Sequence, residues 1–221
     1  VQIVNLLLQI INRTVFIRIL GAEYLGVNGL FTSILTILSF ADLGMGNAMA
    51  FSLYKPIKDG DEQKISSLMI WYKTIYRIIA IAVFIIGLLL IPFLPSIVGE
   101  LPDVKENLIV IYIAFLINSS VSYLCVYRST LITADQREYI VLISQTAFKI
   151  VSMILQIIFL ILTKQYMVYL TINILLQIGS NVFISRFALR LFPYLKQKDI
   201  TPVDKTEKSS IWINIKKLFL Y

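Results

Sequence analysis

Lys149 interrupts an apolar run that extends from Tyr139 to Leu162. At about 100° of rotation per residue, Gln145, Lys149, Ser152 and Gln156 share a helical arc of about 60°. An unpaired cation at mid-bilayer costs on the order of 3 kcal/mol even on lenient insertion scales. Such a side chain belongs on a bundle interior or beside water, where an ammonium suits an anion and amides suit hydroxyl groups. A second stripe comes earlier in the chain. Gln2, Asn5, Gln9, Asn12 and Arg13 fall within about 100° of arc at helical spacing. A third contains Asn28, Thr32, Thr36, Ser39 and Asp42, and a fourth contains Asn173, Gln177, Ser180 and Asn181. Asn118 and Ser122 add a shorter one.

Each stripe also has a plainer reading. Ser, Thr, Asn and Gln in membrane helices commonly serve as interhelical hydrogen bonds, worth about 0.6 to 2 kcal/mol each. One of Arg13 and Lys149 could simply pair with Asp42 as a structural ion pair. Arg18 is less telling, because a long cationic chain near a span end can snorkel to the interface. Asp42 precedes Gly44 and Gly46, two residues that weaken a helix and permit a break. It would cap such a break, the preferred role, or bind a coupling cation or proton.

Much ordinary chemistry is excluded. Histidine is absent from the chain, which removes the commonest acid–base group and metal ligand. There is no phosphate-binding Gly-rich loop, nucleophile elbow or metal-ligand cluster. No catalytic residue, metal or cofactor is therefore expected, and the chain does not read as an enzyme. Asn12-Arg13-Thr14 and Asn118-Ser119-Ser120 match a glycosylation pattern, but both lie inside apolar segments.

The elements that must position these stripes are membrane helices. Hydrophobic residues make up 58% of the 221, charged residues only 15%, and mean hydropathy is +0.82. Spans of about 20 to 25 residues fit six times. They are Val1–Leu20, Asn28–Leu53, Ile70–Leu94, Leu108–Leu131, Tyr139–Leu162 and Tyr166–Phe192, the first read as truncated. Breakers fall between them at Gly21 to Gly26, Lys55-Pro56, Pro92 with Pro95, Pro102 and Pro193. The span Ile70–Leu94, purely apolar from Ile78 onward apart from Gly87, would face lipid. The fold class is all-α: a polytopic bundle of six transmembrane helices over residues 1–192.

A formal charge of +7 could suggest nucleic acid, but the basic residues lie between apolar runs, so no nucleic-acid partner is expected. Lys55, Lys58, Lys64, Lys73 and Arg77 follow the second span, Arg128 and Arg137 the fourth, and eight more surround and follow the end of the sixth. Lys105 and Lys164 stand alone in the alternate connectors. This bias places the C-terminal segment in the cytoplasm. Within residues 193–221, Gln197 to Glu207 reads as a polar linker. Ile211, Ile215, Leu218 and Phe219 then share one face of a basic amphipathic helix on the membrane surface. The start of a seventh span is the other reading of that segment.

Three segments carry a resemblance. They are Phe16-Ile-Arg18-Ile-Leu-Gly21-Ala-Glu23-Tyr24-Leu-Gly26-Val-Asn28-Gly29-Leu30-Phe31, Ser39-Phe40-Ala41-Asp42-Leu43-Gly44-Met45-Gly46 and Tyr54-Lys55-Pro56-Ile57. Ala134-Asp135-Gln136-Arg137-Glu138-Tyr139 and Ile215-Lys-Lys-Leu-Phe-Leu-Tyr221 extend it. Together they resemble the polysaccharide biosynthesis flippases, the Wzx-like O-antigen, capsule and exopolysaccharide repeat-unit transporters of the multidrug/oligosaccharidyl-lipid/polysaccharide exporter superfamily. The resemblance implies two six-helix bundles around a cavity that opens alternately to each side of the bacterial cytoplasmic membrane. This chain would be the first bundle, with residues 193–221 leading to a second. It implies an oligosaccharide on undecaprenyl diphosphate as substrate, and polymerases or glycosyltransferases as partners.

By charge and position, Arg13 and Lys149, with Arg18, are the candidates for the diphosphate. Asn12, Gln9, Gln145, Gln156 and Gln177 are the candidates for sugar hydroxyls. Two alternatives remain. A multidrug/cation antiporter would favour acidic cavity residues, of which the spans offer Asp42. A membrane glycosyltransferase or polymerase would want a large catalytic loop, and the loops here are short.

Overall fold

The computed structural model describes residues 2–39, 45–98, 104–196 and 203. Among the described residues the chain is helical throughout, with no strand. The helices are α1 (Gln2–Leu20), α2 (Ala22–Leu38), α3 (Met45–Asp59), α4 (Glu62–Leu90), α5 (Leu94–Val98), α6 (Leu108–Ala134), α7 (Glu138–Thr163) and α8 (Tyr166–Leu191). Among the described residues, four stretches are long and apolar enough to cross a membrane: Glu62–Ile97, which joins α4 to α5, and α6, α7 and α8. They correspond to the third to sixth expected spans.

The first two expected spans fare differently. Helix α1 is 19 residues long but is not among the four, its apolar length being interrupted by amides and arginines. The expected span Asn28–Leu53 takes in parts of two helices, α2, which ends at Leu38, and α3, described from Met45. Asp42 lies outside the described residues, between these two helices. The linker and amphipathic helix expected over 197–221 also lie outside them, apart from Val203, which is buried.

Several connectors are tighter than their breakers suggested. Gly21 alone separates α1 from α2, with φ at 97°, a region that a β-carbon makes costly. Gly26 is then helical. Pro56 lies inside α3, which continues to Asp59; there it forfeits one backbone hydrogen bond without ending the helix. The Asp61 carboxylate accepts the Lys64 amide at 2.9 Å, capping α4 about two turns before the expected Ile70. Pro92 sits in a 3₁₀ turn, Ile91–Phe93, that leads directly into α5. Gln136 (φ 61°) and Lys164 (φ 53°) take left-handed conformations in the turns on either side of α7. Turns this short make α6, α7 and α8 antiparallel neighbours.

Helix α6 lies at the centre, packed against α4 on one side and α8 on another, while α7 packs on α8 and α1. Phe31, Tyr72, Tyr76, Tyr112, Leu116 and Tyr166 are fully buried. The Tyr112 hydroxyl donates to the Gly87 carbonyl at 2.9 Å. A β-carbon on Gly87 would stand 2.2 Å from Leu116 Cδ1, so glycine sets how closely α4 approaches α6. On its other side α4 exposes Ile78, Ile81, Ile85 and Leu89, a helical stripe that fits lipid tails.

Candidate functional site: a polar cavity between α1, α7 and α8

Along α7, Gln145, Lys149, Ser152 and Gln156 recur at three- and four-residue intervals and so share a face. Antiparallel to them on α8 run Tyr169, Asn173, Gln177 and Ser180. Together with Asn12 of α1 these eight side chains line a cavity of about 500 Å³, completed by Phe148, Met153 and Leu176. Lys149, Gln145, Asn173 and Gln177 are exposed, whereas Ser152, Gln156, Ser180 and Asn12 are buried. The cavity is therefore an open cleft with polar groups at its base. Lys149 lies about 21 Å along the helix axis from Thr163, well inside the span.

At that base, three buried polar atoms have no hydrogen-bond partner: Asn12 Oδ1, Ser152 Oγ and Ser180 Oγ. Each such group costs about 1 to 3 kcal/mol if nothing meets it. A ligand with hydroxyl or amide groups, or water, satisfies all three.

Arg13 and Gln9 do not face this cleft. One residue further along α1 turns a side chain by about 100°, so Asn12 points at α7 and α8 while Arg13 points toward α2. There Arg13, Gln9, Asn12, Asn28, Thr32 and Tyr169 line part of a second cavity of about 740 Å³. The single shared hollow expected from sequence is thus two adjoining cavities, with Asn12 and Tyr169 in both walls. Asn12 Nδ2 donates to Gln156 Oε1 at 3.1 Å and to the Tyr169 hydroxyl at 3.2 Å. These three side chains form a hydrogen-bonded septum.

Seven of the eight substrate-binding candidates line one cavity or the other. Arg18 lines neither, lying about 7.5 Å along the α1 axis from Arg13. Its exposure fits the snorkelling role.

Next to the septum, toward the α7–α8 turn, the interior is aromatic. Phe16 meets Tyr169 edge-on at 4.9 Å, and Tyr24 lies 4.8 Å from Tyr166. The Tyr166 hydroxyl donates to Asn28 Oδ1 at 2.7 Å. The Tyr24 hydroxyl donates to Glu106 and accepts the Lys105 amide at 3.2 Å. This layer ties α1, α2 and α8 together and closes that end of the cleft.

Sequence reasoning missed Tyr169 and Phe148. Tyr166 and Tyr169, three residues apart on α8, carried a usable signal, since a buried phenol needs a partner. Among the described residues, neither cavity lining contains Asp or Glu. Among the described residues no group of His, Cys, Asp or Glu could hold a metal ion. Comparison of the chain with protein families, curated proteins and solved structures finds no match.

Proposed function

We propose that this chain is a transmembrane bundle of a transporter that moves an anionic, hydroxyl-rich substrate across a membrane. The substrate class that fits best is an oligosaccharide on undecaprenyl diphosphate, carried across the bacterial cytoplasmic membrane for polysaccharide biosynthesis. One observation carries the reading: among the described residues, the cleft between α1, α7 and α8 sets one ammonium, Lys149, among amides and partnerless buried hydroxyls, with no carboxylate in its lining. A phosphate is attracted to the ammonium, and sugar hydroxyls both donate to and accept from amides. The resemblance of Phe16 to Phe31 and its companion segments to the flippases points the same way.

The two cavities refine the roles. Lys149 meets the diphosphate in the first cleft, with Gln145, Gln156 and Gln177 toward the sugars. Arg13 stands in the second cavity, behind the septum, as the cation available after Asn12 and Tyr169 part. α1, and α2 with α3, complete six membrane crossings, and the C-terminal segment is cytoplasmic. A multidrug/cation antiporter is disfavoured by the lack of acidic lining among the described residues. The experiment is export of the lipid-linked oligosaccharide in cells producing the intact transporter. Lys149→Ala abolishes export and Lys149→Arg retains it, with protein abundance in the membrane unchanged. Wild-type export by Lys149→Ala would overturn the reading.

A further inference from the structure

Away from both cavities, α4 and α6 hold three cations that the transport cleft does not use. Lys73 and Arg77 lie one turn apart on α4, and Lys73 is within electrostatic reach of both Arg77 and Arg128 of α6. The Arg128 guanidinium donates to Ser185 of α8 and rests 5.3 Å from the Tyr127 ring centroid. Its position is thus fixed by packing rather than by a counter-charge. Among the described residues no carboxylate pairs with any of the three; the ion pair present is Arg137 with Asp135 at 2.9 Å. Three like charges gathered without an acid repel one another, and the group favours an anion.

The level of the cluster says which anion. From Arg77 to Ile97, and from Arg128 to Leu108, the helix axis covers about 30 Å, the thickness of a hydrocarbon core. Both distances put the cations at one edge of that core. Trp71, the kind of side chain that favours membrane interfaces, lies within one turn of Lys73, and Phe51 and Tyr54 stand exposed on α3 beside α4 and α6. Just inside the cations, Ile78 and Ile81 of α4 and Leu124 of α6 are exposed where acyl chains would lie. Arg77 itself sits on this exposed side of α4, free to reach a headgroup.

We infer that Lys73, Arg77 and Arg128 form a binding site for the phosphate of an anionic membrane lipid, held against the outer surface of α4 and α6. The site rests on these helices spanning a bilayer and is independent of the substrate proposed for the cleft. It anchors α4 and α6 to the leaflet at that end, the cytoplasmic one by charge bias.

Trp71 is a built-in reporter, since the chain has only two tryptophans and Trp212→Phe leaves it alone. The protein is reconstituted in vesicles containing brominated phosphatidylglycerol or brominated phosphatidylcholine, and quenching of Trp71 gives their relative association. The expected result is a preference for phosphatidylglycerol that falls about fivefold for each cation removed, by Arg77→Gln and then by Lys73→Gln. Arg77 is exposed, so Arg77→Gln leaves folding intact. Equal quenching by the two lipids would overturn the inference, as would a preference unaltered in Lys73→Gln/Arg77→Gln. Loss of the preference in millimolar inorganic phosphate, but not in sodium chloride of equal ionic strength, would also overturn it by assigning the cluster to soluble phosphate.

Discussion

Replacing Asn12 by leucine tests the septum between the two cavities. Asn12 and Gln156 are each more than nine-tenths buried, at 7% and 4% exposure, and Asn12 donates to both Gln156 and Tyr169. In water, stranding a buried acceptor costs about 1 to 3 kcal/mol. Within a membrane the partly unfolded chain also finds partners, and interhelical hydrogen bonds average about 0.6 kcal/mol. Two such bonds therefore set an expected loss of about 1 to 2 kcal/mol. The burial of Gln156, whose carbonyl oxygen would be left facing leucine, favours the upper part of that range.

Thermal unfolding of the purified protein in detergent reads the loss. The second mutation sharpens the test. Asn12→Leu with Gln156→Leu removes both partners and leaves no stranded amide, so the double variant is more stable than the sum of the single losses predicts. A coupling of about 1 kcal/mol is expected. Strict additivity, or an Asn12→Leu variant as stable as the parent, would refute the septum.

Gly87→Ala drives a β-carbon against Leu116, itself fully buried, and should cost about 1 to 3 kcal/mol by overpacking; an unchanged melting temperature would contradict the close approach of α4 and α6. Tyr194, in the turn after α8, has its phenol pushed up to about 12, first by burial and then by the negative charges of Asp135 and Glu62. Because its folded value exceeds the unfolded one, its contribution to stability is intact below pH of about 10 and is lost as pH rises toward the folded value. Tyr194→Phe should therefore lose less melting temperature than the parent between neutral and strongly alkaline pH. An identical loss in both proteins would count against that burial.

Much of this arrangement is legible in the chain because helical periodicity is regular. Gln145, Lys149, Ser152 and Gln156 stand on one face of α7 in the structure as their spacing requires, and the last three expected spans fall on the single helices α6, α7 and α8. Their partner stripe at Asn173, Gln177 and Ser180 follows from the short Lys164–Gln165 turn, which fixes α8 antiparallel to α7. What periodicity could not give was the division of the hollow. Asn12 and Arg13 are adjacent, and an arc wide enough to contain both spans two different interhelical faces. Tyr169 and Phe148 belong to none of the polar stripes, although Tyr169 accepts the bond that closes the septum. Pro56 also misled, since near a helix end the loss of one hydrogen bond is cheap enough for α3 to continue.

Lipid and water are told apart most directly by cysteine labelling. With Cys125, the chain's single cysteine, replaced by serine, new cysteines are placed one at a time and treated in membranes with a water-soluble maleimide. Gln145→Cys, Lys149→Cys and Gln177→Cys, on the cleft wall, are predicted to react readily. Ile81→Cys and Ile85→Cys, on the exposed apolar face of α4, are predicted to stay unlabelled. If the cleft positions prove as inert as the two on α4, the polar faces of these helices do not enclose water, and the account fails.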